Sequence, residues 1–233
     1  MSIANLSKEE IKEINNRFPE LKENGSGFSG IISFYETYNK CEIEDTFEVT
    51  IDIPDGYPIE MPTLRETGGR TEWIAKKHNK ENLMDLHRNP TTGTACVCVK
   101  QLERKKFPVG SNILTFIDEL AIPYLYGLSF YEENGHWPWH EYSHGCLGIL
   151  EFFAEDAEKI DPKMIIELSV IFKKDPKWEK YRDYIVKPRK KRFCPCGSEK
   201  PFFECHKKAW KGITVLHKNL KKTNLNPYEI FSR

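Results

Sequence analysis

Asp45-Thr46-Phe47-Glu48-Val49-Thr50-Ile51-Asp52-Ile53-Pro54 is a stretch in which apolar side chains alternate with charged or hydroxylated ones. Successive side chains of a β-strand point to opposite faces, so this alternation predicts a half-buried antiparallel strand. The preceding stretch from Phe28 to Tyr38 is rich in Ile, Phe and Tyr and predicts a second strand. Asn39 and Lys40 then form the connection of a hairpin. The sequence therefore predicts an antiparallel meander at the centre of the fold.

Helices are predicted on both sides of this meander. Ser7 with Glu10 three residues later forms a capping box, and apolar residues at helical spacing follow, so about 8–21 should be an amphipathic helix. A further strand is predicted at Thr63 to Thr67. Additional helices are predicted at about 111–121, 145–158 and 162–174. This order of elements indicates the α+β class, with an antiparallel meander flanked by helices.

The composition indicates the cellular compartment in which the protein is expected. The chain has 233 residues and no uninterrupted apolar run of membrane-spanning length, so no membrane span is expected. Its N-terminus turns polar at once, which predicts no signal peptide. Its 7 cysteines are an odd number at irregular spacing. This pattern argues against a secreted disulfide scaffold and favours the reducing cytoplasm, where thiols bind metals or do chemistry.

Charge is distributed unevenly along the chain. Residues 1–186 carry 22 Lys and Arg against 32 Asp and Glu, whereas residues 187–222 carry 12 against 2. We therefore expect two domains, an acidic body at 1–186 and a basic appendage at 187–233. The basic stretch lacks a full set of interleaved aromatic residues for base stacking, so nucleic acid is not expected as a partner. An acidic protein surface, the chain's own body included, is the favoured contact.

Gly93-Thr94-Ala95-Cys96-Val97-Cys98 contains two thiols directly after a polar loop, residues 87–92. A cysteine at the mouth of such a loop, with His87 and Asn89 before it, is a candidate nucleophile. In an extended segment Cys96 and Cys98 would share one face, which leaves Cys98 as an alternative acceptor. The alternative interpretation is that both are plain core cysteines of a strand.

These motifs, taken in order, resemble the ubiquitin-conjugating enzyme (UBC) family over roughly residues 1–158. That family has a Tyr-Pro-x-x-x-Pro turn, here Tyr57 to Pro62, and then a His-Pro-Asn tripeptide, here His87 to Asn89. A Gly-x-(apolar)-Cys segment follows, whose cysteine accepts the acyl group, and here it is Gly93 to Cys96. The chain departs from the pattern at Arg88, which replaces the tripeptide proline.

The resemblance implies an enzyme that carries an acyl group as a thioester on Cys96 and transfers it to an amine. Asn89 would donate to the oxyanion or brace the loop, and His87 would support the loop. The closest resemblance within the family is to bacterial UBC-like proteins of antiphage cyclic-oligonucleotide (CBASS) operons. It implies a protein partner that supplies a C-terminal acyl group, either a ubiquitin-like protein or a cGAS-like nucleotidyltransferase. A separate activating enzyme is a further partner that the resemblance allows.

A second motif lies in the basic appendage. Cys194, Cys196, Cys205 and His206 offer three thiolates and one imidazole, a set that suits tetrahedral Zn²⁺. Residues 193–210 resemble the SEC-C motif, a small zinc knuckle. A site closed by four protein ligands predicts a structural zinc ion. We therefore expect a small zinc-binding module at the C-terminus.

His136, His140 and His144 recur every four residues, but Gly135 and Pro138 argue against a helix there, so the spacing does not predict a metal site.

Two other functions remain open from the sequence. His144 paired with Cys96 would make a cysteine hydrolase. Alternatively, the chain is a non-catalytic UBC-like adaptor that binds partners through the knuckle.

Overall fold

The computed structural model describes residues 6–98, 103–139, 141–143, 145–155, 162–175 and 178–232. The chain divides into two compact units, Met1–Trp139 and His140–Arg233. Each unit has its own cluster of buried apolar side chains. The boundary expected from charge, at 186/187, falls inside the second unit, because apolar residues before 187 share a core with the knuckle's Phe202.

The first unit contains one four-stranded antiparallel sheet in the order β1-β2-β3-β4. Its strands are β1 (Leu21–Glu23), β2 (Gly27–Tyr38), β3 (Cys41–Asp52) and β4 (Thr63–Glu66). Together with the helices, this sheet confirms the α+β class and the antiparallel meander.

The β2–β3 hairpin confirms the strand prediction in detail. Tyr38 pairs with Cys41, so Asn39 and Lys40 form a two-residue turn, with φ values of 49° and 67°. Positive φ at both central residues matches the right-handed twist of the two strands. On β3, Phe47, Val49 and Ile51 are buried while their neighbours reach solvent, as the alternation predicts.

Helix α1 (Lys8–Arg17) confirms the predicted capping box but is shorter than predicted. The Ser7 hydroxyl accepts from the Glu10 backbone N–H at 3.1 Å, and Glu10 accepts from the Ser7 N–H at 2.8 Å. The helix ends before Pro19, because proline disfavours helical geometry in the preceding residue. Leu21, which fits the apolar period of the helix, belongs to β1 instead.

Among the described residues of the first unit, the α-helices α2 (Arg70–Lys77), α3 (Glu103–Lys106) and α4 (Ile113–Asn134) follow, with a short 3-10 helix at Leu83–Leu86. The sequence predicts that α4 ends near 121, but it continues. Residues Ile117–Ala121 form a wider π-helical turn, and Pro123 lies in the first turn of the segment that follows. A missing N–H costs little at that position, so the proline does not end the helix.

Helix α4 is long and apolar enough to cross a membrane by length and composition. However, 72% of its apolar window is buried inside the protein. Its side chains belong to the same core as the buried face of the sheet, and this packing accounts for its apolar character.

Arg70 joins α2 to β3 and α4 through a half-buried charge network. Its guanidinium donates to both Asp45 carboxylate oxygens at 2.7 and 2.8 Å and to Glu132 at 2.6 Å. It also lies 4.4 Å from the centre of the Phe47 ring. Burial pushes the Asp45 pKa upward, but hydrogen bonds from Arg70 and Ser129 outweigh it and hold the pKa below its usual value. The network therefore stabilises the charged carboxylate.

Replacing Arg70 with methionine (Arg70→Met) should lower the free energy of unfolding by about 2–3 kcal/mol, because two partly buried carboxylates lose their partner. Since the folded-state pKa of Asp45 is depressed, the stabilisation is present above the unfolded pKa of about 4 and is lost as the pH falls through the folded value. Urea unfolding at pH 7 and pH 3 measures both effects. Arg17→Met is the matched control, because the Arg17–Asp118 pair is 45% and 40% exposed and should contribute less than about 1 kcal/mol. Equal losses from both variants would contradict this account.

The second unit is helical within its described residues. Its helices are α5 (Cys146–Glu155), α6 (Pro162–Lys173), α7 (Trp178–Val186), α8 (Phe202–Cys205), α9 (Lys207–Lys222) and α10 (Pro227–Ile230). The helices predicted at 145–158 and 162–174 correspond to α5 and α6. Helix α9 packs closely on α5 at Gly212, where an added Cβ atom would lie 1.6 Å from the Leu150 carbonyl oxygen.

Candidate functional site

Cys96 lies at the end of a loop that the backbone closes on itself. Arg88 and Ala95 form an isolated antiparallel bridge. Inside the bridge, the Asn89 N–H donates to the Thr94 carbonyl at 2.9 Å, and outside it the Cys96 N–H donates to the His87 carbonyl at 2.6 Å. The Ala95 N–H donates to Leu64 of β4 at 2.7 Å. These bonds fix the candidate nucleophile against the edge of the sheet.

Asn89 braces this loop through its side-chain oxygen. The Oδ1 atom accepts from the Thr91 N–H at 2.8 Å and the Thr92 N–H at 3.2 Å, an Asx turn. Gly93 then adopts a φ of +70°, which glycine reaches without a Cβ penalty. Asn89 is exposed, and its amide NH₂ donates to no acceptor within the described part of the chain. The side chain thus combines a bracing oxygen with a donor that faces solvent.

His87 lies at the base of the loop, where its backbone and its ring both make contacts. It has a left-handed backbone with φ of 53° and accepts from the Cys96 N–H through its carbonyl. Its ring packs against Trp137 with the ring centroids 4.9 Å apart. Trp137 is itself buried in the core of the first unit. These contacts give His87 a positioning role for the Cys96 segment.

The two thiols of the motif differ in their surroundings. Cys96 is exposed, whereas Cys98 is half-buried and packs against the core together with Val97. The extended pairing ends at Ala95, so the one-face arrangement of a regular strand is absent here. The Cys96 thiol lies 3.6 Å from the Cys98 carbonyl oxygen. Of the two, Cys96 is the more accessible to a reactant.

Protein atoms around the Cys96 sulfur determine its acidity. Desolvation raises the pKa of the Cys96 thiol above its ordinary value, and the negative charge of Glu103 on α3 raises it further. The described surroundings therefore do not stabilise a thiolate.

Glu103→Gln should increase the rate at which iodoacetamide alkylates Cys96 at pH 8. Removing the nearby negative charge lowers the pKa of the thiol, so a larger fraction is ionised and reactive. Mass spectrometry of the Cys96 peptide over a pH series measures this rate, and the two proteins should converge at a pH above both pKa values. Glu81→Gln, an exposed position, is the control. A slower reaction in Glu103→Gln would contradict the described electrostatics.

Arg88 lies between His87 and Asn89, and the structure gives it partners that sequence reasoning missed. Its side chain is 17% exposed, and Nη1 lies 2.6 Å from a Glu72 carboxylate oxygen. Its Nε and Nη1 atoms are both buried without a hydrogen-bond partner among the residues the structure describes, so the contact with Glu72 is an ion pair. Arg88 thereby ties the Cys96 loop to α2. The charge of Arg88 between His87 and Asn89 is visible in the sequence. No local sequence pattern indicates that Glu72 or Glu103 lies near the loop.

The histidine-rich stretch contributes one described residue. His136 Nδ1 lies 2.9 Å from the Trp137 carbonyl oxygen, and its ring packs against Phe130. This arrangement is a structural role, as expected. His140 and His144 lie outside the described residues, so the Cys96–His144 pairing of the hydrolase hypothesis is not part of the described structure.

The second unit brings all four predicted metal ligands together. The candidate ligand atoms of Cys194, Cys196, Cys205 and His206 lie within 4.8 Å of one another. Cys194 Sγ is 3.1 Å from His206 Nδ1, and Cys196 Sγ is 3.6 Å from Cys205 Sγ. Tetrahedral zinc with Zn–S bonds of about 2.3 Å places neighbouring sulfurs roughly 3.7 Å apart. The cluster can hold a metal ion, and its dimensions fit zinc.

Backbone hydrogen bonds shape this cluster. Phe193 and Pro201 form a β-bridge, and the Cys194 N–H donates to the Lys200 carbonyl at 2.7 Å. Gly197 turns the chain with a φ of +91°, and α8 then delivers Cys205. The two pairs of ligands thus approach from a tight turn and from the end of a helix.

The thiols of Cys194 and Cys196 differ in pKa. A hydrogen bond from Ser198 lowers the pKa of Cys196 to about 7, whereas burial raises that of Cys194. Metal binding requires deprotonated thiols, so a bound cation would release the proton that Cys194 holds. Phe202 is fully buried beneath the cluster, and Phe203 and Trp210 are half-buried.

Comparisons of this chain with models of protein families, with curated proteins and with solved structures find no match.

Proposed function

We propose that this protein is a ubiquitin-conjugating-like acyltransferase that carries an acyl group as a thioester on Cys96. The observation that carries the proposal is an exposed thiol on a loop that the exposed Asn89 braces through its side-chain oxygen. The ordered resemblance of Tyr57 to Pro62, His87-x-Asn89 and Gly93-x-x-Cys96 to the UBC family supports it. On that resemblance, the protein acts in bacterial antiphage defence of the CBASS type, in the cytoplasm.

The chemistry proceeds in two acyl transfers. The Cys96 thiolate attacks the carbonyl carbon of an activated C-terminal acyl group, and the previous leaving group departs from the tetrahedral oxyanion. A lysine amine then attacks the thioester, loses its proton to solvent and expels the Cys96 thiolate. The Asn89 amide donates to the oxyanion, and His87 and Arg88 hold the loop in place.

The acyl donor is a protein C-terminus, from a ubiquitin-like protein or a cGAS-like nucleotidyltransferase. A free carboxylate requires activation, so a separate activating enzyme supplies the first thioester. The test bypasses that enzyme by giving the purified chain each candidate donor as a C-terminal mercaptoethanesulfonate thioester. A covalent adduct that hydroxylamine and excess thiol both release is expected on a non-reducing gel. Turnover of the donor to free acid without an adduct would instead favour the hydrolase hypothesis.

Asn89→Ser should slow transfer from the Cys96 thioester to an amine by roughly 10²–10³-fold, the usual loss for one oxyanion donor. A serine hydroxyl can still accept from the backbone N–H groups of Thr91 and Thr92, so the loop should keep its turn. Single-turnover transfer to free lysine measures the rate. Asn89→Ala is the comparison, because it removes the bracing acceptor as well. Transfer at the wild-type rate in Asn89→Ser but not in Asn89→Ala would restrict Asn89 to bracing.

The cluster of Cys194, Cys196, Cys205 and His206 holds a structural Zn²⁺ in this proposal, because four protein ligands leave no open position for a substrate. Phe193, next to the cluster, is 66% exposed, which favours a docking role for this knuckle. That same observation supports the second candidate, a non-catalytic adaptor. Full activity of Cys96→Ala in a phage-defence assay in the natural host would favour the adaptor.

A further inference from the structure

Helix α9 carries lysines along one face and contains no acidic residue at all. At 100° per residue, five of its lysines fall within an arc of about 100°. All five are exposed, and we name them the lysine face: Lys207, Lys211, Lys218, Lys221 and Lys222. The opposite side of the helix, with Ile213, Leu216 and Leu220, is fully or almost fully buried. The orientation of the helix is thus fixed, and the lysine face is held toward solvent.

The lysine face has no ion pair within the part of the chain that the structure describes. Lys208, which lies beside the face, differs, because it pairs with Glu155 and lies 5.1 Å from the centre of the Tyr142 ring. Amphipathic helices ordinarily mix both signs of charge, since Glu–Lys pairs at i,i+4 stabilise the helix. Here Lys207–Lys211 and Lys218–Lys222 place like charges at that spacing, at a cost of about 0.2–0.5 kcal/mol each.

Helix stability does not explain most of this pattern. Lys221 and Lys222 in the last turn interact favourably with the helix dipole. Lys207 lies in the first turn, where a positive charge is unfavourable, and Lys211 and Lys218 gain nothing from either end. An anionic partner along the whole face would attract each of these lysines and so offset the repulsion between them.

We propose that the lysine face docks an acidic helical segment of a partner protein. At 1.5 Å per residue, Lys207, Lys211, Lys218 and Lys222 form a row with intervals of about 6, 10 and 6 Å. A partner helix lying alongside presents carboxylates at the same intervals when its acidic residues have the same spacing. The face contains neither the arginines that grip phosphates or bases in a fork nor exposed aromatic rings that stack on bases.

The test uses the full chain and two labelled 20-residue alanine-rich helical peptides of identical composition. One has four glutamates at the spacing of the row, and its isomer distributes them around the helix. Fluorescence anisotropy should show at least roughly fivefold tighter binding of the face-matched peptide, and binding should weaken as NaCl rises. Equal affinity for the two isomers, or no binding of either, would overturn the proposal without requiring any variant.

The triple variant Lys211→Gln, Lys218→Gln, Lys222→Gln should bind the face-matched peptide at least roughly tenfold more weakly. Glutamine keeps a helix propensity close to that of lysine, and circular dichroism checks the helix. The control Lys8→Gln, Lys12→Gln, Lys22→Gln removes three exposed lysines of the other unit and should change the affinity less than about twofold. A twenty-nucleotide oligothymidine is the competing probe. If it binds more tightly than the peptide and loses affinity in the same triple variant, the face is a nucleic-acid site and the proposal is wrong.

Discussion

Cys96→Ser should replace the thiol-sensitive adduct with one that excess thiol no longer releases. A serine hydroxyl in the same position forms an oxyester with the activated donor, and oxyesters do not exchange with thiols at neutral pH. Cys96 is the exposed thiol of the loop whereas Cys98 is half-buried, so the attack is expected from Cys96. Cys96→Ala should form no adduct at all. Intact-mass spectrometry with and without dithiothreitol distinguishes the three proteins.

Cys98→Ala is the matched control for this prediction. Cys98 lies two residues away and is half-buried against the core, so its replacement should leave the adduct intact with at most a modest loss of stability. If Cys98→Ala loses the adduct while Cys96→Ala keeps it, the site assignment is wrong. If both single variants keep it and the double variant loses it, either thiol serves as acceptor and the preference for Cys96 is wrong.

The features that the sequence predicted well are those encoded by neighbouring residues. The β2–β3 hairpin follows from alternation on β3 and from two turn residues that tolerate positive φ. The metal cluster follows from four ligands between Cys194 and His206, a span in which a tight turn and one helical turn suffice to bring them together. In both cases the physical constraint acts within about a dozen residues, so periodicity and spacing are enough to detect it.

The surroundings of Cys96 show what such reasoning cannot reach. His87 packs on Trp137, fifty residues further along the chain, and Arg88 pairs with Glu72 on α2. These contacts depend on how helices pack against the sheet, and no local pattern marks them. The division of the chain into compact units depends on such packing as well. Charge changes sign near residue 187, but apolar packing decides the unit, and helices α5 to α7 pack with the knuckle.

The length of helix α4 also differs between the sequence prediction and the structure. The spacing of apolar residues predicts a helix at about 111–121, which stops two residues before Pro123. The π-helical turn at Ile117–Ala121 restarts the hydrogen-bond pattern, so that the proline occupies a first-turn position. Burial of most of the helix in the core of the first unit offsets the cost of this irregular turn. Tertiary packing overrides a local signal here.

Cys205→Ser should abolish stoichiometric zinc binding, the second of the large effects expected for this chain. Cys205 Sγ lies 3.6 Å from Cys196 Sγ and belongs to the one cluster of this kind among the described residues. Structural zinc sites contribute about 10–16 kcal/mol of apparent binding free energy in small peptides, and loss of one thiolate removes a large part of it. Inductively coupled plasma mass spectrometry should find about one zinc ion per wild-type chain and little zinc in the variant. Cys41→Ser, in the other unit, is the control and should keep its zinc.

The extent of unfolding after zinc loss distinguishes this unit from an isolated zinc finger. The knuckle adjoins a core that α5, α6, α7 and α9 build from their own apolar side chains, including Leu150, Phe172 and Leu216. Zinc removal by a chelator should therefore expose residues 193–206 to hydrogen exchange and make Cys194 alkylatable, while the helical circular dichroism changes little. Cooperative loss of the helices would show that the metal holds the whole unit together. Two results together would refute the metal site: wild-type protein that contains no metal, and hydrogen exchange that does not change when a chelator is added. Packing alone would then hold the three thiols and the imidazole close together.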